Sequence, residues 1–361
     1  MRIRHFSLTM VLVALMASLF PMVRAEAARG AGNTPQAATP TGPSGYHLLR
    51  KIKLGGEGFW DYLAFDSPTR RLFISRGTRV IVLNVDSEKV VGEIPDTPGV
   101  HGIALAPELG RGFTSNGAAG TVTIFDLTTL TVIGHVTAGK NPDAIIYDPA
   151  TKRVFAMNGR SGDVTAIDGA TGNVLGTIPV GGKLEFAAAD GAGNIFVNIE
   201  DKSEMARIDS RQLSVVARWP LAPCEEPSGL AMDIAHRRLF AGCGNNMMAV
   251  VDATSGKVIA TPPIGEGVDA NAFDPGTSLA FASNGRSGTL TVVHEDSPAA
   301  FTVVENVPTE LGARTMALDA KTHEVYLVTA SFGPPPAPTA ENPRPRPTLV
   351  SDSFEVLVFG P

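Results

Sequence analysis

One aromatic residue returns along this chain at an almost constant interval, and that interval restricts the fold more than any other feature. The seven copies follow one another at 40 to 45 residues. They are Phe73, Phe113, Phe155, Phe196, Phe240, Phe281 and Tyr326. This period is typical of propeller blades, in which each repeat buries its apolar face against its neighbours. The sequence therefore predicts seven copies of one unit within 361 residues.

The third repeat shows what the unit contains. An apolar run at 145–147 precedes a polar turn, and the aromatic segment 153–158 leads into the Gly-rich turn 159–162. The segment 163–168 then alternates between polar and apolar residues, and a last apolar segment covers 174–178. Such alternation, with Asp, Pro and Gly between the segments, is typical of antiparallel strands joined by hairpins. Each repeat is therefore predicted to be a four-stranded blade.

The last repeat lacks a fourth strand. After Tyr326 a single strand-like segment, 354–359, remains before the chain ends. An unassigned strand-like stretch, 46–54, precedes the first repeat and resembles fourth strands elsewhere, such as 89–94. We expect this N-terminal strand to complete the last blade, which would leave no open terminal blade. The predicted fold is all-β: one seven-bladed β-propeller of four-stranded antiparallel blades over residues 46–361.

Three repeats carry a more specific pattern, in which the aromatic strand ends in Asn and a Gly-containing turn leads to an alternating strand. These are RGFTSN…GTVTIFD at 111–126, RVFAMNG…GDVTAID at 153–168 and LAFASN…GTLTVV at 279–293. The pattern resembles the repeat of the YVTN-type (YncE-like) β-propeller family, and the resemblance covers about 46–361. It implies the propeller fold. Because that superfamily includes binding proteins, subunits of redox enzymes and lactone-cleaving enzymes, the resemblance leaves the function open.

The first 27 residues predict a signal peptide. Arg2, Arg4 and His5 form a positive start, and the apolar run 8–20 that follows is too short to span a bilayer comfortably. Small residues then lead to an expected cleavage after Ala27. The alternatives are cleavage two residues earlier and an uncleaved anchor. We therefore expect bacterial export and a periplasmic or secreted protein.

The exported chain is expected to begin with a linker. Residues 28–45 are small, polar and rich in Pro and Gly, a composition that predicts disorder. No later apolar run approaches membrane length, so we expect no transmembrane segment in the mature chain, and we expect a monomer. The formal charge is −6, and loss of the signal peptide makes it more negative. Nucleic acid is therefore not an expected partner.

A polar residue stands 11 or 12 positions before each aromatic, where the innermost strand of each blade should begin. These residues are Asp61, His101, Asp143, Glu185, Ser228, Asp269 and Arg314. Innermost strands line a central channel, so we expect the seven side chains to converge at one mouth. Crowded carboxylates share protons or bind a cation. The sequence predicts a site for a small polar ligand, and a divalent metal at Asp61, His101, Asp143 and Glu185 is a further hypothesis. A water-filled polar mouth is the alternative.

Other residues are expected on the same face. Trp60 adjoins the polar set and could contact a ligand, and Arg160 and Arg286 occupy matching Asn-Gly-Arg-Ser-Gly turns that could hold an anion. The segment 332–350 interrupts the last blade and contains seven prolines, so it cannot join a sheet. We interpret it as a lid or a partner-docking arm, with a disordered surface insertion as the alternative.

The two cysteines, Cys224 and Cys243, lie 19 residues apart in one repeat. Export permits a disulfide, and both positions are expected in loops of the mouth face, so the sequence predicts that they pair. They are a poor metal site by themselves.

Three functions are compatible with these sequence features. The sequence contains no phosphate-binding loop, G-x-S-x-G, H-E-x-x-H or C-x-x-C-H motif. The first interpretation is a binding or interaction scaffold that engages a small polar ligand or a protein partner at the mouth. The second is a metal-dependent hydrolase or lyase, lactonase-like, with Asp143 or Glu185 as general base to a metal-bound water. The third is an accessory subunit of an exported redox enzyme.

Overall fold

The computed structural model describes residues 44–337, 339, 345 and 347–361. Regular structure in these residues comprises 28 β-strands and two short 3-10 helices, Pro107–Leu109 and Glu200–Lys202. The predicted signal peptide and nearly all of the predicted linker lie outside this part of the chain, so both stay predictions. Within it, no helix is long and apolar enough to cross a membrane.

The strands form seven four-stranded antiparallel sheets, and six of them are built from four strands that are consecutive in the chain. The N-terminal strand is β1 (His47–Lys53). Blade 1 contains β2 (Trp60–Asp66), β3 (Arg71–Arg76), β4 (Arg79–Asn84) and β5 (Lys89–Ile94). Blade 2 contains β6 (Val100–Ala106), β7 (Arg111–Asn116), β8 (Thr121–Asp126) and β9 (Val132–Thr137). Blade 3 contains β10 (Pro142–Asp148), β11 (Arg153–Asn158), β12 (Asp163–Asp168) and β13 (Val174–Pro179).

The remaining blades repeat this order. Blade 4 contains β14 (Leu184–Ala189), β15 (Asn194–Ile199), β16 (Glu204–Asp209) and β17 (Ser214–Pro220). Blade 5 contains β18 (Pro227–Asp233), β19 (Arg238–Cys243), β20 (Met247–Asp252) and β21 (Val258–Ala260). Blade 6 contains β22 (Val268–Asp274), β23 (Leu279–Asn284), β24 (Thr289–Ser297) and β25 (Ala300–Pro308). Blade 7 contains β26 (Met316–Asp319), β27 (Glu324–Thr329), β28 (Glu355–Gly360) and the N-terminal strand β1.

The ring closes where the sequence predicted. β1 pairs antiparallel with β28, with Ile52 opposite Val356, so the two ends of the chain share one sheet. The first strands of neighbouring blades contact one another around the whole ring, and β26 returns to β2. A closed ring removes the exposed edge that an open row of blades would present. The seven-bladed propeller fold is therefore confirmed.

The core lies between the blades. All seven residues of the repeating aromatic column have no exposed surface. The cluster between blades 7 and 1, for example, combines Leu72 and Ile74 with Tyr326 and Val328. Each apolar sheet face is covered by a neighbouring blade, so each blade depends on its neighbours for its core.

The first strands end in a repeated buried carboxylate. It occurs in six blades and is replaced by Ala106 in blade 2. The residues are Asp66, Asp148, Asp190, Asp233, Asp274 and Asp319. In blades 3 to 7 the carboxylate accepts the backbone N–H two residues later, as Asp148 Oδ1 does from Ala150 at 3.1 Å. These aspartates hold the turn to the second strand, and we call them the turn aspartates.

Two further features lie at the other end of the blades, where the first strands begin. The sulfur atoms of Cys224 and Cys243 are bonded at 2.06 Å. The Pro-rich segment 332–350 leaves the sheet between β27 and β28, and an isolated bridge from Phe332 to Leu349 closes its base. Residues 338, 340–344 and 346 of that segment lie outside the described residues.

Candidate functional site

The predicted polar set lies where the first strands begin. In blades 1 to 6 each member is the second residue of its first strand, and Arg314 stands two residues before β26. At this point the pairing of first and second strands shifts register in all six blades, as between Trp60 and Leu63 or between Val268 and Ala270. The corresponding shifts recur in blades 2 to 5. Such irregularities re-aim side chains, so the fold itself turns this column out of the sheet.

Contacts join most of these residues around the opening. A chain of side-chain contacts runs from Asp143 through His101, Asp61, Arg314 and Asp269 to Ser228. We call the seven residues the mouth ring. The structure therefore brings six of the seven predicted residues into one network, and the charge of Asp143 contributes to the raised pKa of the seventh, Glu185.

The tightest part of the mouth ring is formed by blades 1, 2 and 3. His101 Nδ1 lies 2.6 Å from Asp61 Oδ2 and 3.8 Å from Asp143 Oδ1. One ligand atom from each of the three residues fits within 4.8 Å. All three side chains are partly exposed, at 21%, 29% and 16% for Asp61, His101 and Asp143, so the group is open to solutes.

The protonation of this trio follows from its crowding. Burial opposes the charged imidazole, but the hydrogen bond to Asp61 and the charge of Asp143 outweigh it and raise the pKa of His101. Burial raises the pKa of Asp143 to about 6; His101 opposes that rise, and the negative charges of Asp61 and Asp269 add to it. A carboxyl with this pKa exchanges its proton near neutral pH.

On the other side of the mouth, Arg314 bridges carboxylates. Its Nε donates to Asp269 Oδ2 at 2.6 Å, and its Nη2 lies 3.7 Å from Asp61 Oδ1. Nη2 also donates to the carbonyl of Trp60 at 3.1 Å. Burial and Asp61 still raise the pKa of Asp269, although Arg314 and Ser228 oppose the rise. Arg314 therefore neutralises part of the charge of the mouth ring and holds its two flanking carboxylates.

Glu185 has a different environment from the trio. Lys183 Nζ lies 2.8 Å from Glu185 Oε1 and also contacts Glu200. Burial, the neighbouring Glu200 and the charge of Asp143 raise the pKa of Glu185, and Lys183 opposes the rise. The predicted four-residue metal set therefore divides: Asp61, His101 and Asp143 form the cluster of ligand atoms, and Glu185 pairs with lysine.

An aromatic stack forms a floor beneath the mouth ring. Tyr62 and Phe186, from the first strands of blades 1 and 4, stack with ring centroids 4.3 Å apart. Beyond them lies a channel cavity of about 300 Å³, lined by first-strand residues of all seven blades, most of which have apolar side chains. Because rings from nearly opposite blades meet, the polar mouth is a shallow site that is separated from the apolar channel.

The other predicted contact residues lie around this site. Trp60 is only 4% exposed and packs between Phe354 and Phe332, at ring distances of 5.3 and 6.2 Å. Arg160 is exposed and lines an open cleft of about 480 Å³ with Lys183, and Arg286 is also exposed. A ligand contact by any of the three stays a prediction.

Sequence reasoning missed the floor and the lysine pair. Tyr62 and Phe186 each follow a mouth-ring residue directly, in a column whose other members are small: Gly102, Ala144, Gly229, Ala270 and Thr315. Two large aromatic residues in a column of small ones were the available signal. Lys183 and Glu200 lie outside the repeat pattern, so no aligned column marked them.

Comparison with known proteins places this chain by its fold. No protein-family model and no curated protein matches the sequence. Among solved structures, a chain of hydrazine synthase from Kuenenia stuttgartiensis superimposes with a TM-score of 0.63 and 16% identity, over 74% of this chain and 91% of that one. A chain of a mitotic checkpoint complex superimposes with a TM-score of 0.71 and 13% identity, over 92% and 97%.

The class follows from these observations together. The chain is a seven-bladed β-propeller, with a polar, carboxylate-rich mouth above an aromatic floor. Identities of 13% and 16% show a shared fold, and the chemistry of the mouth has to be argued from its own residues.

Proposed function

We propose that this protein is an exported binding scaffold of the YVTN type, whose mouth ring binds a divalent cation or a small polar ligand that carries positive charge. The observation that carries the proposal is the convergence of Asp61, His101 and Asp143 within 4.8 Å. Support for the family comes from the repeat pattern, and support for export comes from the N-terminal sequence.

The charge balance of the mouth favours a cation. Four carboxylates meet two permanently charged groups, Arg314 and Lys183, and one imidazole. The pKa values of Asp143, Glu185 and Asp269 are all raised, first by burial and then by the negative charge of neighbouring carboxylates, so these groups hold protons more tightly than exposed acids do. A bound cation would replace those protons. Two carboxylates and one imidazole suit manganese or zinc, and the carboxylates also suit calcium.

Metal content tests this proposal directly. Protein covering 28–361 is purified without chelator, its metal is measured, and binding of Mn²⁺, Zn²⁺ and Ca²⁺ is followed by calorimetry after chelation. We expect about one equivalent at the mouth, and Asp143→Asn should weaken its affinity by roughly 100-fold or more. Ser228→Ala is the matched control, because it changes a member of the mouth ring outside the trio. An affinity of Asp143→Asn that equals that of the unaltered protein would overturn the proposal.

A hydrolytic function is the second candidate. The favouring observation is that Asp143, with a pKa of about 6, lies beside the same ligand cluster and could accept a proton from a metal-bound water. The metal-loaded protein is assayed against lactones and carboxylic esters. Turnover that is lost in Asp143→Asn but retained in Ser228→Ala supports catalysis. Absence of turnover in protein that has bound its metal excludes these two substrate classes.

A partner-binding role has its own observation. Phe59, 62% exposed, and Phe332, 41% exposed, line a cleft of about 130 Å³ beside Trp60 and Arg314. The base of the Pro-rich segment is therefore next to the mouth ring, which supports its interpretation as a lid or docking arm. Deletion of 334–347 should change ligand affinity if the segment is a lid. If the deletion changes only capture of a partner protein, it is a docking arm.

A further inference from the structure

The ends of the first strands, opposite the mouth ring, contain an exception to the repeat. Most turn aspartates receive a donor from the following blade. Ser210 Oγ donates to Asp148 Oδ2 at 2.6 Å, and His323 Nδ1 lies 2.6 Å from Asp274 Oδ2. Arg70 bonds Asp319 in the same way. These three buried carboxylates are thus each paired across a blade junction with a hydroxyl, an imidazole or a guanidinium.

At the junction of blades 5 and 6, a second carboxylate occupies the donor position. Ser210 and Glu295 are structurally equivalent: the N–H of Ser210 bonds Gly193 O and that of Glu295 bonds Ser278 O, both at 2.9 Å. Ser210 and Glu295 each stand 62 residues after the turn aspartate that they face, Asp148 and Asp233. Where blade 4 supplies a hydroxyl donor, blade 6 therefore supplies an acid.

The Glu295 carboxylate is buried beside a second acid, Asp233. Its side chain is 1% exposed. Among the described residues, no donor makes a well-aligned hydrogen bond to either of its oxygens. The nitrogen beside it is His236 Nδ1, 3.1 Å from Oε1, and this atom also lies 2.7 Å from Asp233 Oδ2. The guanidinium of Arg238 is held by Asp252 at 2.6 Å. A buried carboxylate in this state costs free energy unless a cation or a proton reaches it.

We propose that Asp233, His236 and Glu295 bind a divalent transition-metal ion of the zinc class, which ties blade 5 to blade 6. One ligand atom from each residue lies within 4.8 Å of the others. Ligands placed about 2.1 Å from a tetrahedral ion are roughly 3.4 Å apart, so the 2.7 and 3.1 Å spacings need only a small opening of the cluster.

The arrangement of the three residues can both hold an ion and let it enter from the solvent. Asp233 is already oriented by the backbone N–H groups of Ala235 and His236, at 2.9 and 3.1 Å. The His236 side chain is 49% exposed and covers the two buried carboxylates from the solvent side. Rotation of this ring admits an ion, and a water molecule can complete the coordination. Both carboxylates are then charged and paired, which the metal-free arrangement does not allow.

The experiment uses the chain 28–361 with Asp143→Asn, so that binding at the mouth does not contribute. After chelation, Zn²⁺ is titrated by calorimetry and the thermal midpoint is recorded with and without the ion. We expect one equivalent of zinc and a midpoint raised by about 3 °C or more. Mn²⁺ and Ca²⁺ are run in parallel, and we expect weaker binding of both.

Glu295→Ser is the decisive variant, because it places at this junction the hydroxyl donor that the repeat already has at Ser210. We expect it to fold, to be at least as stable as the chelated parent, and to lose both the zinc equivalent and the midpoint shift. His236→Ala should weaken zinc binding by about tenfold or more. Zinc binding that persists unchanged in Glu295→Ser overturns the proposal. So does a chelated parent that shows no zinc equivalent, which would leave the two acids sharing a proton.

Discussion

The two ends of the first strands follow opposite rules. At the mouth, the aligned positions carry Asp, His, Asp, Glu, Ser, Asp and Arg, and their contacts cross from blade to blade in an irregular network. At the other end, the aligned positions carry Asp in six of seven blades, and each holds its own turn. The same strand is therefore variable where it opens to solvent and repetitive where it turns.

This difference separates structural from functional chemistry within one molecule. A repeated residue answers a demand that every blade makes, here the capping of a turn. A residue that changes from blade to blade is not required by the structure of each blade. Its identity therefore reflects the function of the whole ring. Glu295 is informative for the same reason, because it breaks the rule at the repetitive end.

Loss of a turn aspartate should have the largest effect. Asp319 has no exposed surface, accepts from Ser67 and Thr322 at 2.7 and 2.8 Å, and pairs with Arg70. Asp319→Ala leaves these groups unpaired and should lower the free energy of unfolding by about 3–5 kcal/mol. Urea denaturation measures it. The exposed Asp296→Ala is the control, and a similar small effect of both variants would contradict the structural role of the column.

A change at the mouth should act in the opposite direction on stability. In metal-free protein the pKa of Asp143 is about 6 in the folded state and lower in the unfolded chain. Its protonation therefore favours folding fully below about pH 4, and this contribution disappears as the pH rises through 6. Asp143→Asn should raise the free energy of unfolding at pH 8 by about 2 kcal/mol and flatten the decline between pH 4 and 6. The free energy of unfolding is measured by denaturation at several pH values. Parallel pH profiles for Asp143→Asn and the unaltered protein would refute this prediction.

The same carboxyl should make cation binding depend on pH. A cation at the trio displaces the proton held by Asp143, so acid competes with it. We expect competition by the Asp143 proton to lower the affinity by about fivefold from pH 6 to pH 5, and to change it little above pH 7. Calorimetry in two buffers of different ionisation enthalpy would also reveal the released proton. A pH-independent affinity would place the cation elsewhere.

The smallest expected effect belongs to Ser228. Its hydroxyl donates to Asp269 Oδ1 at 3.2 Å, on the side of the mouth that Arg314 already neutralises. Ser228→Ala should change stability by less than about 1 kcal/mol and leave cation affinity unaltered. A loss of binding as large as that in Asp143→Asn would show that the whole mouth ring acts as one site.

The sequence predicted most of the fold because the repeat supplies seven copies of the same evidence. The predicted segments 46–54 and 354–359 correspond to strands that begin and end within one residue of them, at His47–Lys53 and Glu355–Gly360. The mouth ring was also predicted, since a polar column stands out against small and apolar neighbours. Its internal pairing was not, because Glu185 pairs with Lys183 from outside the column, and the column does not show which of its own members touch, as Asp269 and Arg314 do.

Some properties of this protein are local and periodic, and these the sequence determined alone: seven blades, four strands in each, a ring closed by the N-terminal strand, and a polar residue at the start of each first strand. Others depend on distances across the ring. Residues 40 or more positions apart meet in the trio at the mouth, in the pair of Asp269 and Arg314, in the floor of Tyr62 and Phe186, and in the cluster that holds Asp233 and Glu295. Periodicity specifies which residues are equivalent, but closure of the ring decides which of them touch.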